Sequence, residues 1–388
     1  MEIIKNKTNI DFIGKRKVAL FFSTALNVAI LVGIAVAGFN WGIDFVGGTV
    51  VELQFKPSAT KVDAETVRRR AESSGLHDVS VQGIGSPDEQ SFLVRLGGTT
   101  QLTKETAEAA DAALKNLGSD VKVLSPDLDN GILNFRSPRK LELDAVKAAV
   151  GGTMGVKEVR EVGEVAGQFE YQVVASGMAE KITEAMSVNG GQDFEVRRTE
   201  YVGPQVGKQL RNKGVGSLLY AILAILVYVA FRFDFKFAPG AVMAMLHDAI
   251  MVAGYYLVSR REFNLTSIAA LLTVIGYSVN DTIVIYDRIR EEMVKYKGKP
   301  LPEIINIAVN DTLSRTILTS GVTALSLGGL LIFGVGEIWD FSMAMLVGII
   351  VGTYSSVYIA SPLTIWLDER EAAKAKGHAA PAQQERTA

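Results

Sequence analysis

An aspartate stands inside a long apolar run, in the stretch Gly276-Tyr277-Ser278-Val279-Asn280-Asp281-Thr282. The run opens at Leu265, so Asp281 lies about sixteen residues in, roughly 24 Å along a helix rising 1.5 Å per residue. A carboxylate at such a depth in lipid costs about 2.5–3.5 kcal/mol on insertion scales. It is kept where it faces a partner helix or a water-filled path. Asp281 therefore reads as a group that loads and releases a proton, with Asn280 beside it able to donate and accept hydrogen bonds. Tyr277 and Ser278, at i−4 and i−3, put polar groups on the same helix face, and Gly276 lets another backbone come close. The plainer reading is a hydrogen-bonded node between helices; the insertion cost favours the functional one.

Two further groups could serve that carboxylate. Arg315, in Ser314-Arg315-Thr316-Ile317, sits where a later apolar run begins. From spacing alone it reads equally as a fixed positive charge that drives a proton off Asp281 and as an interfacial anchor reaching for headgroups. His247-Asp248 lies in mid-run and reads as a polar node or relay. Adjacent helical positions point about 100° apart, so the two are not expected to pair with each other. Asp287 and Arg288, at the end of the Asp281 run, read as a solvated interfacial pair.

Nothing else carries reaction chemistry. The chain has no cysteine and three scattered histidines, which excludes disulfides, thiol catalysis and common metal spacings. There is no nucleophile–base pair and no phosphate loop, so neither hydrolytic activity nor a cofactor is expected. A net charge of −2 argues against a nucleic-acid partner.

The elements that must position these groups follow from composition. The 388 residues are 48% hydrophobic, with a mean hydropathy of +0.22, and apolar runs alternate with one charged segment. The basic N-terminus, residues 1–17, precedes a first span at 18–38, long enough to cross a bilayer and followed by no small-residue cleavage site. Five more spans fall at about 215–231, 237–258, 265–285, 317–335 and 341–367. Residues 368–388 read as a disordered tail. The expected fold is a six-helix membrane bundle, one plus five, around an α+β domain at 39–213. That domain reads as β-α-β-β-α-β twice over, two ferredoxin-like units in tandem at about 48–125 and 131–203. Gly42, Asp44, Gly47 and Gly48 mark its beginning and Gly203-Pro204 its end, read as rigid junctions.

Lys5, Lys7, Lys15, Arg16 and Lys17, then Arg232 and Lys236, then Arg288 to Lys299, and Lys374 with Lys376 all fall on one side of six spans. By the positive-inside rule both termini are cytoplasmic and the α+β domain is exported, or periplasmic. Arg260 and Arg261 conflict with this. The small-residue stripes Gly321, Gly328, Gly329 and Gly348, Gly352, Ser355, Ser356 suit close packing against a partner bundle.

In order along the chain, GIDFVGGT (42–49), EYVGPQVGKQL (200–210), LHDAIMVAGYY (246–256), GYSVNDTIVIYDRIRE (276–291) and SRTILTSGVTAL (314–325) resemble the SecD/SecF family of the resistance–nodulation–division superfamily, and within it the SecF type. The resemblance implies a bacterial inner-membrane subunit that works with a SecD-like partner. Beside the Sec channel it would use protons to help draw unfolded secretory polypeptide across the membrane. It further implies that Asp281 and Arg315 act together in proton transfer. The soluble domain is about twice the single β-α-β-β-α-β unit usual for SecF. A small-molecule exporter of the same superfamily, or an exported sensor on a membrane scaffold, would need a ligand pocket or would gain nothing from Asp281.

Overall fold

The computed structural model describes residues 8–56, 62–76, 78–84, 89–187, 193–232 and 237–384, with side chains to residue 374. Lys5, Lys7, His77 and Lys236 lie outside the described residues. The chain forms two compact units, residues 41–213 and residues 1–40 with 214–388.

Helix α1 (Arg16–Ala37) is followed by a short strand β1 (Asn40–Trp41), a single helical turn α2 (Ile43–Val46) and strand β2 (Gly48–Phe55). Next come α3 (Ala64–Ser73), β3 (Ser80–Ile84), β4 (Ser91–Leu96), α4 (Lys104–Lys115), β5 (Lys122–Val123) and β6 (Ile132–Ser137). Helix α5 (Leu143–Gly151), β7 (Val156–Val165), β8 (Gln168–Ala175), α6 (Met178–Met186) and β9 (Phe194–Val202) complete the 41–213 unit.

The element types follow the sequence reading, but their partnership does not. One sheet has the order β3-β4-β2-β9 and the other β5-β6-β8-β7. Strand β2 pairs antiparallel with β4 on one side and with β9, about 150 residues later, on the other. The division near residue 125 is therefore corrected. The first β-α-β-β is closed by α6 and β9, and residues from α4 to β8 are inserted within it. The cores show the same exchange. Ile182 and Met186 of α6 pack with Val51, Leu53, Val67 and Val94, whereas Ala110 and Leu114 of α4 pack with Leu133, Phe135 and Val173. Period and propensity fix each helix's apolar face, but not which sheet it covers.

The outgoing and returning chains of the insert run side by side. Thr100 bridges Gly177, the Gln101 N–H donates to Ser176 O (3.1 Å), and the Met178 N–H donates to Thr99 O (3.1 Å). The insert hangs from a two-stranded neck.

Helix α7 (Pro204–Arg232) begins in the 41–213 unit and continues from Gly214 in the other, which also holds α1, α8 (Ala238–Ser259), then after β10 (Glu262–Phe263) α9 (Leu265–Lys295), α10 (Leu301–Phe333) and α11 (Glu337–Ser355). A π-helical segment, Ser356–Ala360, joins α11 to α12 (Ser361–Gln384). Pro362 lacks the N–H that an α-turn would present to residue 358, which accounts for the wider turn just before it. Among the described residues six stretches are long and apolar enough to cross a membrane. Helix α9 is the centre, packing on α8, α10 and α11, with Ile275, Val279 and Tyr286 in a core shared with Ala241, Met245 and Ile305.

Three boundaries differ from expectation. Helix α10 starts at Leu301, because Ile304, Ile305, Ala308, Val309 and Thr312 form a buried stripe among polar residues that overall polarity conceals. Helix α7 starts at Pro204, a residue suited to a first helical position. Helix α12 runs to Gln384, where a disordered tail was expected.

Before α1, the chain is strapped to α10. The Ile10 N–H donates to Asn310 Oδ1 (2.9 Å) and the Phe12 N–H to Asn306 Oδ1 (3.0 Å). The amides of Asn306 and Asn310 donate to Ile10 O (3.0 and 2.9 Å).

Candidate functional site

Asp281 is 8% exposed and is held by two hydroxyls from other helices. Thr316 Oγ1 of α10 donates to Oδ1 (2.8 Å) and Ser356 Oγ of the π segment donates to Oδ2 (3.0 Å). Its neighbour Asn280 is on the exposed face of α9 and takes no part. Arg315 is also exposed, one position from Thr316. Among the described residues no ion pair joins it to Asp281, on which it bears only through space. Helical geometry is the reason: adjacent positions are about 100° apart, so when Thr316 faces α9, Arg315 faces outward.

Asp248 is fully buried. Ser355 Oγ donates to its Oδ2 (2.7 Å), as does Ser278 Oγ of α9, and Oδ1 meets His247 Nδ1 at 2.9 Å. The expectation that His247 and Asp248 could not pair is corrected. The 100° offset applies to the Cβ directions, and the ends of the two side chains swing together across it. The imidazole also lies 6.2 Å from the Tyr354 ring, whose hydroxyl reaches Ser23 Oγ (2.9 Å). Ser278 thus belongs to the network. Tyr277 does not; its hydroxyl turns to Thr323 Oγ1 (3.3 Å).

Thr316, Ser355 and Ser356 were missed as ligands of the carboxylates. The signal was present, since Ser355 and Ser356 extend the stripe Gly348, Gly352 at helical spacing. A Cβ on Gly348 would lie 2.2 Å from the Val274 side chain, and one on Gly352 3.0 Å from Ser278 Cβ. That stripe packs on the chain's own α9, not on a partner as expected. Gly321, Gly328 and Gly329 of α10 have open space around them.

Charges at the ends of the bundle are tied between helices. Asp287 and Arg288 do not pair with each other. Asp287 accepts from Arg232 (3.0 Å), while Arg288 meets Asp311 (2.6 Å) and Glu292 (2.7 Å). At the other end Arg260 donates to Gly38 O (3.0 Å) and Arg261 pairs with Asp340 (3.1 Å). Both arginines that offended the charge rule serve to hold helix ends.

In the 41–213 unit the junction glycines are in close contact. Gly47 (φ +77°) and Gly48 (φ +133°) leave no room for a side chain, with Pro204 Cα 2.9 Å from a Cβ on the first and Leu96 O 2.4 Å from one on the second. Gly207 fits against Gly47 N, whereas Gly203 has open space. Gly42 precedes and Asp44 lies in the turn α2 that fills the motif.

A bundle of apolar helices holding, among the described residues, three buried carboxylates, Asp248, Asp281 and Glu292, with a large α+β unit between its first and second spans, defines a multi-pass membrane protein. Residues 182–370 match the family described as protein export membrane protein SecD/SecF, C-terminal, and residues 32–59 match the SecD/SecF GG motif. The chain is 38% identical over 368 residues to the protein translocase subunit SecF of Magnetococcus marinus, covering 95% of each chain. It is 36% identical over 393 residues to that of Koribacter versatilis, covering 95% of this chain and 94% of that one. A crystal structure of SecDF, a translocon-associated membrane protein from Thermus thermophilus, superposes with a TM-score of 0.63 at 30% identity, over 95% of this chain and 40% of that one. The chain belongs to the SecF family of protein translocase subunits, membrane proteins of Sec protein export. It spans about two fifths of the SecDF chain.

Proposed function

We propose that this chain, together with a SecD-type partner, uses the proton gradient to drive late polypeptide translocation through the Sec channel, with Asp281 as the proton site. The observation that carries this reading is the pair of hydroxyls on Asp281. A hydroxyl donates to an ionised carboxylate and accepts from a protonated one, so Thr316 and Ser356 accommodate both charge states. A fixed guanidinium in their place would favour the ionised state alone. Arg315 is one residue from Thr316, so a turn of α10 that exchanges them brings a permanent positive charge to Asp281 and expels its proton.

The partner is argued from what the chain leaves uncovered. Asn280 of α9 and Arg315 and Thr319 of α10 are exposed, and the glycines of α10 have open space around them. Polar side chains at membrane depth call for a protein neighbour, and a SecD-like bundle fits. In this reading the termini are cytoplasmic and the 41–213 unit is exported, where it meets unfolded secretory polypeptide. Its outer β-α-β-β-α-β is ferredoxin-like. The insert, α-β-β-α-β-β with order β5-β6-β8-β7, is the same fold circularly permuted. The test is export of a secretory precursor with and without a proton gradient in cells carrying Asp281→Asn. Loss of only the gradient-dependent part supports the reading; unchanged export at normal protein level refutes it.

A further inference from the structure

The carboxylates of Asp248 and Asp281 are bound to consecutive residues. Ser355 serves the first and Ser356 the second, at the point where α11 passes into the π segment. On the opposite side Ser278 serves Asp248 from the same helix as Asp281, three positions away, a spacing that sets Cβ atoms about 5–6 Å apart. Both serines have a second acceptor, Gly352 O for Ser355 (3.2 Å) and Thr353 O for Ser356 (3.0 Å). A serine hydroxyl has one proton to give. It goes to the carboxylate when that group is ionised, and to the main chain when the carboxylic acid itself donates to the serine oxygen.

We propose that Asp248 is a second proton-binding carboxylate of this bundle, and that Ser355 and Ser356 link its protonation to that of Asp281. The inference rests on the reading of Asp281 as a proton site and adds a coupled partner. Like charges held by consecutive residues in an apolar interior disfavour each other's ionisation. His247 supplies Asp248 with a third hydrogen bond, which is what keeps a fully buried carboxylate tolerable in its ionised form. The other ionisable groups near the pair are Tyr354, against His247, and Tyr286, whose hydroxyl donates to Ala360 O (3.2 Å) at the end of the π segment; Arg315 faces outward and bears on Asp281 only through space. The step is a proton exchange only: a proton arriving at one carboxylate is accompanied by rotation of its serine hydroxyl, and the altered charge shifts the other carboxylate's equilibrium.

The link is tested on the full-length chain in lipid vesicles, by infrared titration of the carboxylic-acid carbonyl band, which needs no export activity. In the parent protein the titrating bands of buried carboxylic acids include one absent in Asp248→Asn and another absent in Asp281→Asn. Asp248→Asn moves the Asp281 midpoint toward lower pH by at least about one unit, the threshold for interacting sites, because a like charge has gone. In the Ser355→Ala/Ser356→Ala background the same substitution moves it by less than half as much. An Asp281 midpoint that ignores Asp248→Asn overturns the link. A set of titrating bands that Asp248→Asn leaves wholly intact overturns the second site. An Asp281 band that never titrates, with an Asp248 band that does, refutes the proposed function instead. Should Asp248→Asn not assemble, Ser355→Ala alone decides: it must move the Asp248 midpoint, and no movement overturns the proposal.

Discussion

Thr316 donates its hydroxyl to Asp281 across the α9–α10 interface at 2.8 Å, while Arg315, next to it, faces outward. Thr316→Val keeps the shape and removes the donor. A hydrogen bond to a charged group is worth about 1.5–3 kcal/mol, so at pH 7 the purified protein unfolds at a lower temperature. The deficit shrinks as the medium is acidified and the carboxylate is neutralised. Thermal unfolding at several pH values measures this, and a deficit independent of pH would sink it.

The helix ends give a second expectation. Glu292 is 1% exposed, and its Oε2 has no hydrogen-bond partner. Arg288→Ala removes its nearest counter-charge and, among the described residues, leaves Lys295 at 3.5 Å. Breaking such a pair costs about 2–3 kcal/mol, at the low end because Arg288 is partly exposed. Adding Glu292→Gln recovers more than half of that loss, which a double-mutant cycle by thermal unfolding reads directly.

Glycines of α10 and α11 separate by position. Gly348→Ala drives a methyl into Val274 and destabilises by about 1–3 kcal/mol. Gly328→Ala enters open space and leaves the isolated chain's stability unchanged or slightly raised. Loss of co-purifying partner in Gly328→Leu, with the chain itself stable, would place the partner on that face.

At the junction, Gly48→Ala requires both a positive φ and a methyl 2.4 Å from Leu96 O. It lowers the yield of folded protein, with strain of about 1–3 kcal/mol before any clash. Gly203→Ala, with space around it, does not. Protease resistance of the 41–213 unit in the full chain distinguishes them.

The insert predicts its own removal. Because Thr100 and Gly177 already bridge, replacing residues 101–176 with a two-residue link closes a tight connection and leaves the sheet β3-β4-β2-β9 intact. Full-length chain so shortened accumulates and inserts normally. Failure to accumulate would mean the outer sheet does not stand alone.

Much of this was legible in the sequence, for physical reasons that also mark where it stopped. Asp281 was found because a charge in an apolar run is costly wherever its helix points. The spans were found because apolar length is local, and the strands because alternation is local too. What joined β2 to β9, or α6 to the first sheet, is a contact between distant residues that leaves no local pattern. For the ligands of the carboxylates the stripe Gly348, Gly352, Ser355, Ser356 was visible, but not what it packs on. Serine and threonine satisfy their hydroxyls within a helix, to the carbonyl at i−4, as Thr312 does with Ala308. Ser355 and Ser356 reach the carbonyls at i−3 as well, and nothing in either taken alone announces that it also meets a carboxylate. Arg315, the residue with the most visible charge, turned out to point away while its quiet neighbour made the bond.

The strap formed by Ile10 and Phe12 on Asn306 and Asn310 joins residues 300 and 294 apart in sequence. At about 5–20 residues per second, roughly 15–60 s of synthesis separate the two sides of that contact. Loop closure of this length adds little equilibrium cost, since the entropy grows only with the logarithm of length. In time it sets an order: Ile10 and Phe12 are made early and wait for Asn306 and Asn310. Until Asn310 has left the ribosome the strap stays open, and α1 holds to the bundle through α8 and the bond of Arg260 to Gly38 O (3.0 Å). The contact is a record that synthesis has passed Asn310.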